Sequence, residues 1–405
     1  MQFSKDSEPY IKFCIKNFKT LKLDLSETQK REQGVLLGKL YNSIKVAHEN
    51  VDKYLKEDIS REVTEINSMN VFKDITMTNS VFFPESIKED IRRNSTYKIE
   101  YNLIFIKIKF KIIFISYEEN INIAIYDKYI RYILIWIHML HQYASSECVS
   151  KINIVIYLTP FKKVLPDNSI AILDVENANS AVTLACHNPG EIIIYRKEEW
   201  FKVFIHETFH SFGLDFSTLH CNTFITNFRG LFPISSTFNI AETYTEIWAE
   251  IINCVFISYF SAKDDFDLFL DYCEFLLQLE RIFSLYQCQK ILEYMGLEYK
   301  HLYSSDNNSV IARNNLYKEK TNIFAYYILK SLLMNNYIDF LKWCDVHNTA
   351  FVQFTKTENN LHFFFKYIKG KHNSTNFLLE LENTSFLKVS SKLVKTMRMS
   401  VVEGI

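Results

Sequence analysis

The residues of this chain best suited to chemistry are two histidines four positions apart with a glutamate directly after the first, in His206-Glu207-Thr208-Phe209-His210. On a helix, positions i and i+4 stand one above the other on one face, roughly 6 Å apart, so both imidazoles can grip one metal ion. Glu207 then projects beside that ion rather than onto it, where a carboxylate can take a proton from a metal-activated water. The expected metal is Zn2+ and the expected chemistry is hydrolysis. Three fixed positions in five also arise by chance, as two histidines on an ordinary helix, so the setting of the pattern has to decide.

That setting is favourable. Ile192-Ile193-Ile194-Tyr195 is a β-branched strand signal, and Lys197-Glu198-Glu199-Trp200 opens a helix with acidic residues at its start, where the helix dipole favours them. Phe201, Phe204, Ile205, Phe209 and Phe212 supply apolar flanks that bury such a helix, and Gly213 is placed to end it.

A catalytic zinc site needs a third protein ligand and an open position. In the metzincin spacing H-E-x-x-H-x-x-G-x-x-H that ligand falls on Phe216, which cannot bind metal; Asp215 is one place early, and no methionine follows before Met295. Downstream, Asn239 to Glu250 has helical period and carboxylates at Glu242, Glu246 and Glu250, a row able to give one glutamate to zinc and the next to a histidine. Charge at this spacing usually marks a solvated face. Here Ile247, Trp248, Ile251, Ile252, Val255 and Phe256 make the segment look buried, so inward carboxylates need a partner.

These residues resemble the gluzincin branch of the zincin metallopeptidases. The resemblance implies Glu242 as the third ligand and Glu246 as the carboxylate that orients a ligand histidine. By residue type, Glu246, Asp215 and Glu250 are the other candidates for the third ligand. His220 and Cys221 are zinc donors by type, but they lack a paired partner at ligand spacing. The resemblance spans residues 97–260, and its sharply specific part is the His-Glu-His triplet.

The elements that must position these residues read as follows. Tyr101 to Ser116 alternates as a strand with one wet face, Tyr126 to Tyr143 has helical period, and Ile152 to Leu158 is a strand. Strand, helix, strand, further strands and zinc helix is the order of a zincin N-terminal lobe. The expected fold class is α+β and zincin-like, a mixed twisted sheet with the His-Glu-His helix and a mainly helical C-terminal lobe. Ser180 to Ala185 is a short strand joined through His187-Asn188-Pro189-Gly190 to the strand at Ile192; it is either a plain hairpin arm or, by the resemblance, an edge that pairs with an extended peptide. The chain divides in expectation into a helical covering segment (1–95, with a helix from Glu27 to Lys56), a sheet lobe (96–230), a helical lobe with the third ligand (231–345) and an extension (346–405). Asp264 to Met295 and Asn322 to Trp343 read as helices of the helical lobe, with a loop at Ser304 to Ser309. Tyr326 or Tyr327 is the candidate donor to a tetrahedral oxyanion.

Composition bounds the rest. With 405 residues, 48% of them hydrophobic, the chain can bury a large core. Phe (34) and Tyr (24) are abundant, while Gly (8) and Pro (6) are few, a bias that implies an A/T-rich genome such as that of a large DNA virus, a protist or a parasite. A net charge of -1 gives no electrostatic case for nucleic acid. The lysines of Lys107-Ile108-Lys109-Phe110-Lys111 suit a sheet surface and exclude a membrane span there. The N-terminus lacks the apolar core of a signal peptide, so the chain is expected in the cytoplasm, with its 8 scattered cysteines reduced. The resulting expectation is a zinc metallopeptidase acting on a peptide or protein. The alternative is a zincin-like structural or host-interaction protein without catalysis, which has no need of a base at Glu207.

Overall fold

The computed structural model describes residues 3–19, 25–56, 59–66, 70–144, 147–168, 170–385 and 391–404. The chain is α+β and divides into two compact units, each built from non-consecutive stretches: Leu37–Lys162 with Asn179–Thr218, and Met1–Leu36 with Lys163–Ala178 and Leu219–Gly404. Each unit thus draws on several of the consecutive segments expected from the sequence. Among the described residues no helix is long and apolar enough to cross a membrane.

The first unit is organised by a six-stranded mixed sheet. Its strands are β1 (Arg61–Glu65), β2 (Tyr97–Phe105), β3 (Ile108–Ser116), β4 (Lys151–Tyr157), β5 (Ala181–Thr183) and β6 (Gly190–Ile194), in the order β1-β2-β3-β4-β6-β5. β3, β4 and β6 run parallel, and the antiparallel strands flank them. The helix Ile123–His141 makes the crossover from β3 to β4 that a parallel pair requires.

The expected single strand over Tyr101 to Ser116 is instead the tight hairpin of β2 and β3. Its two-residue turn, Ile106-Lys107, has φ of 46° and 67°. Such turns favour Asn-Gly because both central residues need positive φ. With Ile and Lys there, the turn has no signature and the alternation runs through it.

Register puts Ile113, Val155 and Ile193 on one face and Ile112, Ile154 and Ile192 on the other. The first face is covered by Val71, Phe72, Ile75, Phe83, Ile87 and Ile91, the last two on the helix Glu85–Asn94. Residues 61–94 therefore belong to the sheet unit, giving it an edge strand and a covering layer. β1, Arg-Glu-Val-Thr-Glu, is mostly exposed and carries no apolar alternation to announce it. The second face receives the crossover helix and the His-Glu-His helix, through contacts such as Phe114 with Tyr126 and Trp200.

One expectation about the thiols is overturned. Cys148 and Cys186 form a disulfide, with Cα atoms 4.3 Å apart, while Cys14, Cys221, Cys254, Cys273, Cys288 and Cys344 are free. The parallel pairing of β4 and β6 aligns Ile152 with Gly190, and each cysteine lies four residues ahead of its strand's aligned position. Strand register brings them together, with no sequence framework to show it.

The second unit is helical. Ile240–Ala262 and Phe266–Tyr294 pack on each other across a reversal at Lys263 and Asp264, both in the left-handed region. Asp265 caps the second helix by accepting from the Leu268 N–H at 3.0 Å. The Asn322 to Trp343 stretch is not one helix: a π-helical turn, Phe324–Leu329, leads into Lys330–Asn335, and a break at Asn336 precedes Tyr337–His347. The expected loop at Ser304 to Ser309 is shorter, because Asp306 caps a helix over Asn307–Leu316. Glu8–Asn17, Asn222–Leu231, Glu358–Lys371, Thr375–Ser385 and Ser391–Lys395 are further helices of this unit.

Candidate metal centre

The helix that carries His206, Glu207 and His210 spans Trp200–Ser211, and all twelve of its residues are buried. It starts abruptly after Glu199, whose φ of 59° turns the chain from β6 into the helix. Thr208 Oγ1 accepts the Trp136 indole N–H at 2.7 Å and donates to the Ile205 carbonyl at 2.7 Å, while Trp136 stacks on Phe209. Burying an aromatic such as Phe209 contributes about 1.5–3 kcal/mol, so this face holds the helix firmly against the crossover helix.

The C-terminus follows from one residue. Gly213 has φ of 64°; its N–H donates to the His210 carbonyl at 3.1 Å and the Leu214 N–H to the Phe209 carbonyl at 2.8 Å. These are the two bonds of a Schellman end, which needs a residue free to adopt left-handed backbone. The reversal turns the chain under the helix, and Asp215, fully buried, hydrogen-bonds His210 Nδ1. Ser217 fixes the carboxylate with its N–H at 3.0 Å and its hydroxyl at 2.7 Å. Burial alone raises the Asp215 pKa, but the His210 ring and the Ser217 bonds outweigh it and hold the carboxyl below its ordinary value.

His206 and His210 face each other through Nε2, 3.3 Å apart, with the residues 6% and 7% exposed. A carboxylate on Nδ1 makes that nitrogen the proton carrier, which leaves the Nε2 lone pair of His210 directed at His206. Two nitrogens on a tetrahedral zinc, each at about 2.0–2.1 Å, stand about 3.3–3.4 Å apart. The spacing and tautomer therefore fit a shared zinc ion. Glu207 is 8% exposed on the same helix.

β5 is the edge strand expected within Ser180 to Ala185, reduced to three paired residues. Thr183 Oγ1 donates to the Glu191 carbonyl at 2.6 Å and meets Ser211 Oγ at 2.8 Å, tying the edge to the last residue of the Trp200–Ser211 helix.

In the helical unit, Glu242 lies in the first turn of Ile240–Ala262 and is partly exposed. Its Oε1 accepts from Asn239 Nδ2 at 3.1 Å and its Oε2 from the Tyr326 hydroxyl at 3.0 Å. The acidic row sinks along the helix: Glu246 is 2% exposed and Glu250 is fully buried against Lys330, at 3.0 Å. Tyr326 and Tyr327, adjacent on the π-helical turn, part company. The Tyr327 hydroxyl donates to the Met397 carbonyl at 2.6 Å, whereas Tyr326 reaches the carboxylate. His220 is exposed, and Cys221 begins the helix Asn222–Leu231.

Asp215 as the partner of His210 is the functional contact that sequence reasoning missed, having assigned that kind of role to Glu246. The available signal was an acidic residue two places after a helix-ending glycine, where a Schellman turn doubles back. No family model, curated protein or solved structure matches this chain.

Proposed function

We propose that the protein is a zincin-like zinc metallopeptidase, with His206, His210 and Glu242 as metal ligands and Glu207 as general base. The observation that carries this reading is the 3.3 Å approach of the two Nε2 atoms, with the His210 tautomer set by Asp215. When bound, zinc supplies a water acidified towards a pKa of about 7 and a Lewis acid for a carbonyl. Glu207 would be the base that accepts the proton of the attacking water and passes it to the departing amine. Tyr326, on a π-helical turn of the kind that often marks functional sites, donates its hydroxyl to the developing oxyanion. β5 offers its free edge to an extended peptide, and Glu246 joins Asp215 in orienting the ligands.

Glu207→Gln tests the reading. Stoichiometric zinc and an unchanged fold with cleavage of a peptide library abolished is the expected result. A wild type that binds zinc yet cleaves no peptide or protein, indistinguishable from the variant, would overturn the peptidase reading in favour of a silent metalloprotein.

A further inference from the structure

Residues 397–402 have no regular secondary structure, yet Met397, Arg398, Met399, Ser400, Val401 and Val402 are all nearly or fully buried in the helical unit. A buried stretch outside helix and sheet must have its peptide groups satisfied by other means. Here side chains from several helices satisfy them one by one. Tyr327 donates to the Met397 carbonyl at 2.6 Å, Lys330 to that of Met399 at 2.9 Å, and Asn253 to that of Val402 at 3.1 Å. Gln287 donates to the Arg398 carbonyl. Glu280, itself fully buried, accepts the N–H groups of Val401 and Val402 at 2.9 and 2.8 Å and the Ser400 hydroxyl at 2.6 Å.

Side-chain recognition accompanies these bonds. The Arg398 guanidinium lies over the Tyr10 ring, 5.3 Å from its centroid, and donates to Ser7 Oγ at 3.2 Å. Backbone held by donors and acceptors on a preformed frame, with pockets for alternate side chains, is how proteins hold a peptide ligand.

We propose that the helical unit contains a peptide-binding groove, occupied in cis by Thr396–Glu403, whose ligand class is an extended peptide with arginine between two apolar residues, then serine and two β-branched residues. Glu280 is its central reader, since a carboxylate that chelates two successive N–H groups rejects a peptide lacking either. Occupancy also reaches the candidate metal centre. The Met397 carbonyl holds Tyr327, the neighbour of Tyr326 on the π-helical turn, and Tyr326 holds Glu242. That last link rests on the zinc reading; the groove does not.

The experiment uses the full chain carrying Val401→Pro, which deletes one N–H read by Glu280. A fluorescent synthetic peptide of sequence Thr396–Glu403 is titrated into it, beside the same peptide with proline at the Val401 position. Expected is saturable binding of the native peptide, about tenfold tighter than the proline peptide, because the mismatch leaves a buried acceptor short of a donor, with the variant's Tm restored towards wild type. Equal, weak binding of both peptides to a folded variant overturns the proposal. Should the variant not fold, hydrogen exchange on the wild type decides. Amides of Val401 and Val402 that exchange together and about tenfold or more faster than those of the 276–292 helix core support a detachable ligand; exchange only with global unfolding overturns it. Zinc affinity of the peptide-rescued variant reports the Glu242 link, so loss of that link alone leaves the groove standing.

Discussion

Asp215 hydrogen-bonds the Nδ1 of His210 from a fully buried position five residues further along the chain. The contact engages the Nδ1 of the ring, fixes its orientation and leaves Nε2 facing His206. Outer partners of this kind typically account for 10–100-fold in metal affinity. Under the zinc reading, Asp215→Asn should therefore weaken zinc binding by about tenfold or more while the sheet unit stays folded. Competition with a chromophoric chelator, read beside circular dichroism, checks it; unchanged affinity would mean that the helix alone fixes the ring.

Tyr326 and Tyr327 are neighbours with separable consequences. Tyr326 meets the Glu242 carboxylate, so under the peptidase reading Tyr326→Phe should lower kcat by about 100-fold, the scale of losing one oxyanion donor, with KM little changed. Tyr327→Phe removes a buried hydrogen bond to the Met397 carbonyl and should reduce stability by about 1 kcal/mol with a much smaller effect on kcat. Steady-state kinetics and thermal melts of the two variants separate the roles. The reverse ranking of kcat effects would remove Tyr326 from the mechanism.

What the sequence disclosed depended on how local the cause was. The Trp200–Ser211 helix was legible because its histidine spacing, apolar flanks and terminating Gly213 all lie within fifteen residues, and each acts through helix geometry alone. The Ile240–Ala262 helix, with Glu242 in its first turn, was legible for the same reason. Asp215 was seen as a carboxylate, but its contact with His210 exists only once the Schellman turn has reversed the chain. The hairpin at Ile106-Lys107 was hidden because neither residue advertises positive φ. The π-helical turn at Phe324–Leu329 was hidden because over six residues its period cannot be told from that of an α-helix.

The Cys148–Cys186 bond reaches the Trp200–Ser211 helix through the backbone. The Cys186 N–H donates to the His210 carbonyl at 3.0 Å, and the bond closes a 38-residue separation that includes β4, β5 and the start of the loop to β6. Chain entropy assigns a loop of that size about 4 kcal/mol of stabilisation. Paired Cys148→Ser and Cys186→Ser substitutions should lower Tm by several degrees, about 2–4 °C per kcal/mol for a unit of this size, and a thiol reductant should do the same to the wild type only. Equal melting with and without reductant, with both thiols titratable in the purified protein, would show that the bond does not form.

Acid stability should be set in part by Asp74, which meets Lys98 and Lys111, each at 2.6 Å, on the face of β2 and β3 that its own segment covers. Desolvation by itself raises the Asp74 pKa, but hydrogen bonds and charge from the two lysines outweigh it, so the folded-state value lies below the ordinary 3.8. The unfolded state then binds a proton that the folded state refuses. Its stabilisation is fully present above the ordinary value and is lost as pH falls through the lowered one. Asp74→Asn should melt lower than wild type at pH 7, and the gap should shrink as pH drops below about 4. Melts from pH 2 to 7 at low and high salt measure this; a gap that persists undiminished at pH 2 would assign the loss to packing or to the neighbouring Glu100–Lys98 pair rather than to the ionised Asp74.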